Sequence, residues 1–186
     1  MPTLNRDKAL ALLKTHTTKV NLIKHMLAVE AAMRAYARKF GADEDLWGIT
    51  GLLHDLDYEK HPTPEEHPMV GVGILEEKGY PPEMIYAIKG HATYLNVPRE
   101  SLLDKALFAV DELTGFLVAV ALMQPTKKLV DVKVSSVRKK MKQKGFARNV
   151  NREDIRMGTG ELDVDMDDHI AFVRDAMNGI ADELGL

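Results

Sequence analysis

Cysteine is absent from this 186-residue chain, which removes disulfides, thiolate metal sites and cysteine nucleophiles together. A metal ion, if there is one, has to be held by histidine and carboxylate. Long apolar runs are missing too. The longest, Phe116 to Met123, has eight residues, whereas a membrane-crossing helix needs about 20. The start, Met1-Pro2-Thr3-Leu4-Asn5, leads into charged residues without the apolar stretch of a secretory signal. Glycine and proline together number only 21, with 45% hydrophobic residues, so collagen-like and disordered classes fit poorly. The net charge of −3 gives no whole-chain reason to bind nucleic acid or an anionic membrane. These absences predict a soluble, cytoplasmic protein with one ordinary core and a possible homo-oligomer.

The small net charge hides a strong asymmetry. Residues 1–125 carry 13 basic and 17 acidic side chains, residues 126–148 nine and one, and residues 149–186 three and ten. The break near Pro125 separates a histidine-bearing body, 1–125, from a basic then acidic extension, 126–186, expected to pack on the same domain.

Apolar residues recur at spacings of three and four, never in strict alternation, which predicts an all-α fold. Expected helices run over 18–40, stopped by Gly41, over 43–55, capped by Asp43, over 67–79 and over 81–91. Ser101-x-x-Asp104 is a capping pattern that opens a strongly apolar helix through Leu107, Val110, Leu113 and Leu117. Further helices are expected over 131–144 and 167–184. Asn151-x-x-Asp154 reads as a helix cap, and Gly158-Thr-Gly160 as a turn.

Five of the seven histidines, His25, His54, His61, His67 and His91, fall within residues 25–91. The pair His54-Asp55 ends an apolar helix, and His25 sits within the helix before it. Asp111 lies in the most apolar helix of the chain, where a carboxylate is costly unless it is paired or bound to a cation. A site of His25, His54, Asp55 and Asp111 offers two imidazoles and two carboxylates, a donor set that suits manganese, iron, zinc, nickel or cobalt without choosing among them. Each residue also has a plainer reading: a satisfied helical histidine, a helix-end His beside an exposed Asp, or a buried salt bridge at Asp111. His61 beside Pro62 reads as solvent-exposed, and His16 and His169 lie outside the pattern.

The order His25, His54-Asp55, Asp111 resembles the signature of the HD superfamily of all-helical, metal-dependent phosphohydrolases, over roughly 19–124. The run Leu52-Leu-His-Asp-Leu-Asp-Tyr58, with His67-Pro68 and Ala109-Val-Asp-Glu-Leu-Thr-Gly115, is similar to a small subgroup of predicted HD hydrolases with undefined substrates. The resemblance implies an HD-like bundle with additional C-terminal helices and implies those four residues as ligands. It adds His67 and His91 where two ions are held, with Asp55 bridging them. Leu56-Asp57 departs from the common His-Asp-Ile-Gly form, so subtypes defined by that tetrapeptide do not carry over.

A site of this kind predicts hydrolysis of a phosphomonoester or nucleotide by metal-bound hydroxide at Asp55 and its neighbours. Basic side chains are expected around the metal. Lys60 is the first candidate phosphate contact, Arg99 and Lys89 are weaker ones, and Asp57 is a candidate general base. Two other classes share the residues: a di-iron oxygenase of the HD-like type, which uses the same His and Asp ligands, and a non-catalytic nucleotide-binding regulatory module. For the basic segment, pairing with the acidic tail needs no outside partner and is the first reading. Substrate steering comes second and nucleic-acid binding last.

Overall fold

The computed structural model describes residues 4–186. Among them the regular elements are ten α-helices and two short 3₁₀ turns, with no strand. Two helices of 21 residues form the spine: α2 (Val20–Phe40) and α6 (Leu102–Leu122), each about 32 Å long at 1.5 Å per residue. Asp43 accepts the amides of Asp45 and Leu46 to open α3 (Glu44–Leu53), which packs along α2. Gly41, with φ of 66°, closes α2 in the left-handed conformation, as the sequence predicts. The reciprocal Ser101 and Asp104 capping bonds form at the start of α6. Before α2, α1 (Arg6–His16) is tied down by Arg6, whose guanidinium meets the buried Glu30 carboxylate at 2.6 and 2.9 Å.

α4 (Met69–Glu77) and α5 (Pro82–His91) form a pair, with α5 against α6. The expected helix over 67–79 begins only at Met69. His67 instead lies at the end of a succession of turns that runs from the end of α3. Glu59, in those turns, accepts the amides of Thr18 and Lys19 at 2.8 Å and so fastens them to the start of α2.

The C-terminal third differs more from expectation. α7 (Val134–Met141) is shorter than 131–144, because residues 129–131 form a separate 3₁₀ turn. Residues 167–184 are split at Gly179 and Ile180 into α9 (Met166–Asn178) and α10 (Ala181–Leu184). Between them and α7 stands α8 (Arg152–Glu161), capped by Asn151 as predicted. Gly158-Thr-Gly160 is therefore inside a helix and is not a turn. The glycine serves packing: a Cβ on Gly158 would lie 2.6 Å from the Ala109 Cα of α6. α8 can approach α6 closely only without a side chain there. This crossing sets one wall of the cleft described next.

Candidate metal centre

Four helices and one turn deliver six side chains to a single point. His25 comes from the second turn of α2, His54 and Asp55 from the end of α3, His67 from the turn before α4, His91 from the last residue of α5, and Asp111 from the middle of α6. The structure thus brings together all six candidate ligands. Asp55 is at the centre. Its Oδ1 lies 3.5 Å from His54 Nε2 and 3.4 Å from both His67 Nε2 and His91 Nε2. Asp111 Oδ1 lies 3.1 Å from His25 Nε2 and 3.4 Å from His54 Nε2. Two potential ligand groups result, His25 with His54 and Asp55, and Asp55 with His67 and His91. They share Asp55.

The other nitrogen of each ring is directed outward. His54 Nδ1 donates to the Gly51 carbonyl at 2.8 Å, His91 Nδ1 to the Ile88 carbonyl at 2.5 Å, and His67 Nδ1 to Asp57 at 2.7 Å. His25 Nδ1 is 3.4 Å from the Thr114 hydroxyl. With Nδ1 donating, the Nε2 lone pairs face the centre, which is the tautomer metal ligation requires.

His54 shows what the arrangement lacks. Its Nε2 is buried and has no hydrogen-bond partner, although two carboxylates stand near it. Burial opposes a charged His54, yet Asp55 and Asp111 outweigh it and raise the imidazole to about 9. Burial alone would lift both aspartates. The neighbouring imidazoles, His54 foremost, instead hold them well below the usual carboxylate range. Inward-facing Nε2 atoms and two ionised carboxylates fit a bound cation, which would take the place of the proton that the carboxylates otherwise hold on His54.

The centre forms the floor of a cleft of about 530 Å³. Its walls include residues the sequence reading missed: Tyr58, Tyr94, Glu112, Asn149 and Asp154. Glu112 directly follows Asp111 on α6, so adjacency could have signalled it. Asp154 comes from the first turn of α8, where the sequence marks it as part of a helix cap and gives no sign that it faces the cleft. Burial, with Asp111 adding to it, pushes Glu112 up to about 7, and its carboxylate accepts the Asn151 amide at 3.1 Å.

Two further expectations are corrected. Among the described residues, neither lysine nor arginine lines the cleft, so the basic side chains expected around the centre are not found there. Lys60 reaches instead toward the Thr15 carbonyl, at 3.5 Å. Arg99 joins Glu161 at 2.6 and 2.8 Å and covers the Phe108 ring, while Lys89 pairs with Glu76. Asp57 is 2% exposed and does not line the cleft. Both of its oxygens are engaged, one by His67 and the other by the Gly71 amide at 2.6 Å, so it fixes the His67 ring instead of facing the cleft. His61 pairs with Glu66 outside the cluster.

A model of the HD domain matches residues 22–115, from α2 through the aspartate-bearing part of α6. The chain belongs to the HD domain family. All six converging residues lie inside that HD match, which places the protein in a superfamily of metal-dependent phosphohydrolases. The chain is similar to the Ribonuclease Y of Desulfotalea psychrophila, with 31% identity over 96 residues, 51% of this chain and 18% of that protein. It is also similar to the Ribonuclease Y of Lactobacillus acidophilus, with 26% identity over 183 residues, 95% of this chain and 33% of that protein. The chain thus spans a third or less of the curated relatives it matches. No solved structure matches it. Among the described residues, no helix is long and apolar enough to cross a membrane.

Proposed function

We propose that the cleft hydrolyses a phosphoric ester, a phosphomonoester or nucleotide, with one or two transition-metal ions held by His25, His54, Asp55, His67, His91 and Asp111. The observation that carries this reading is the position of Asp55, close to three inward-facing imidazoles and common to two ligand groups. A bound divalent cation supplies polarisation of a phosphoryl oxygen and activation of water near neutral pH.

The chain's own residues supply the rest. Asp57 fixes the ring of His67, and Tyr58 stands edge-on to that ring, 5.2 Å between centroids. Tyr94 donates to the His67 carbonyl at 2.7 Å and holds the turn that carries it. With no lysine or arginine on the cleft wall, the phosphoryl charge is met at the six-residue centre alone. Glu112 and Asp154 are then placed as acceptors for hydroxyl or ammonium groups on the remainder of the substrate.

The test is elemental analysis of the purified protein alongside a strictly anaerobic screen of phosphomonoesters and nucleotides, with and without manganese. Phosphate release that disappears, together with bound metal, in His54→Ala and Asp55→Ala supports the reading. Undiminished metal in those variants overturns it. Dioxygen consumption that requires added substrate, with no anaerobic phosphate release, would move the site to oxygenase chemistry. A second reading, cleavage of an RNA phosphodiester, is favoured by the likeness to two Ribonuclease Y proteins and belongs in the same screen.

A further inference from the structure

Residues 126–148 carry nine basic side chains and one acidic. Pairing with the acidic tail would explain them without a partner, but the structure forms that pairing once, Arg138 to Asp167 at 3.3 Å. None of the other eight basic side chains forms an ion pair with a carboxylate among the described residues. Like charges held close together without counter-charge repel, so the segment stores an attraction for an anion.

Its shape is fixed. Val137 and Met141 bury one face of α7, which leaves Lys139 and Lys142 exposed. Beside α7 is a groove of about 290 Å³ to which Ser136, Lys139, Lys140 and Gln143 contribute polar side chains. After α7, the Arg152 guanidinium donates to the carbonyls of Gln143, Phe146, Ala147 and Val150 and sits 5.2 Å from the Phe116 ring centre. One buried-side cation thus gathers the loop's carbonyls inward, while Lys144 and Arg148 remain exposed. The loop ends on Asn149, which lines the metal cleft, and two residues later the Asn151 amide binds Glu112. The strip and the cleft share a border.

We infer that this strip docks the phosphodiester backbone of a single-stranded nucleic acid and leads it to the cleft. The extent of the charge favours a strand over a mononucleotide. Eight cations without a carboxylate partner among the described residues span a loop, an eight-residue helix of about 12 Å and a second loop, farther than one terminal phosphate can reach. The cleft wall offers no lysine or arginine, so phosphates flanking the reacting one have to be held outside it, where the strip is. Delivery to the cleft rests on the hydrolase reading; binding to the strip does not.

Binding is measured by fluorescence anisotropy of a labelled oligouridylate of about 20 nucleotides, with the full chain in EDTA and with Asp55→Ala in parallel. The expected affinity falls steeply between roughly 50 and 300 mM salt. Neutralising three cations in Lys139→Gln/Lys142→Gln/Lys144→Gln lowers the log–log salt slope by about 2, at about 0.7 per lost phosphate contact. Metal content and turnover of a small phosphoric ester stay at the wild-type level in that variant. A flat salt response, unchanged binding by the triple variant, competition by uridine monophosphate as strong as by the oligomer, or binding to phosphatidylserine vesicles without oligonucleotide binding overturns the inference. Because the readout is taken without metal, loss of the hydrolase reading leaves it standing, and its own failure leaves metal binding and ester hydrolysis untouched.

Discussion

His54 and His169 are both about 1% exposed, yet the regions around them treat the imidazole in opposite ways. At the cleft floor, His54 keeps one nitrogen without a partner and faces two carboxylates, which raise it to about 9 against the effect of burial. In the core between α2, α6 and α9, His169 has both nitrogens satisfied. Nε2 donates to the Ala109 carbonyl at 2.9 Å and Nδ1 accepts from the Tyr36 hydroxyl at 2.6 Å. Burial there lowers it to about 4. Burial alone therefore does not mark a functional histidine. A buried nitrogen without a hydrogen-bond partner, facing two carboxylates, is the feature that sets His54 apart and suits a cation there.

The largest effect is expected where the comparison is broken on the cleft side. Asp55→Ala removes the carboxylate that three imidazoles share, and bound metal measured by elemental analysis should fall to background while the helical circular dichroism stays. His169→Ala should do the reverse. It leaves the Tyr36 hydroxyl buried without its partner, at about 1–3 kcal/mol, and takes a second acceptor contact from the Ala109 carbonyl, so denaturant midpoints drop while metal stoichiometry holds. A His169 variant that loses metal, or an Asp55 variant that retains it, would erase the distinction.

Next in size is a pH dependence that belongs to the core region. His169 titrates at about 4 in the folded protein and near 6.5 when unfolded. Between those values the unfolded state binds the extra proton, so stability falls as pH drops from about 6.5 to about 4 and levels off below. The span corresponds to roughly 3 kcal/mol at 1.36 kcal/mol per unit. His169→Phe, which cannot take up a proton, should flatten that slope even if its stability at pH 8 is lower. An unchanged slope would assign the acid sensitivity to other groups.

The contrast also explains which parts of the molecule the sequence could disclose. The order His25, His54-Asp55, Asp111 was legible because these residues sit on or at the end of helices with a clear start or stop, such as Asp43 before α3 and Ser101 before α6. The centre's outer supports were not. Asp57 and Lys60 both follow Asp55 closely, and spacing along the chain cannot tell that the turn folds Asp57 under His67 while it aims Lys60 toward α1. The start of α8 was legible in its Asn151 cap, but its last turn was read as a loop because Gly158 and Gly160 have poor helix propensity, and tertiary contact with Ala109 outweighs that preference. The charge asymmetry was visible, but whether the basic and acidic segments meet depends on packing that no count of charges contains.

The smallest effects separate the two residues that sequence alone treated alike. Asp57 is a charged acceptor behind the His67 ring, whereas His54 and His91 lean on backbone carbonyls. Asp57→Asn keeps the shape but removes the charge, and metal affinity should weaken about 10- to 100-fold, seen as a lower stoichiometry at limiting metal that excess metal restores. Lys60→Gln should change neither metal affinity nor ester turnover, and stability by less than about 0.5 kcal/mol, because its amine touches only the Thr15 carbonyl at 3.5 Å. If Lys60→Gln instead raises KM for a phosphoric ester, the side chain swings into the cleft when substrate binds, and the cleft gains the cation that its walls now lack.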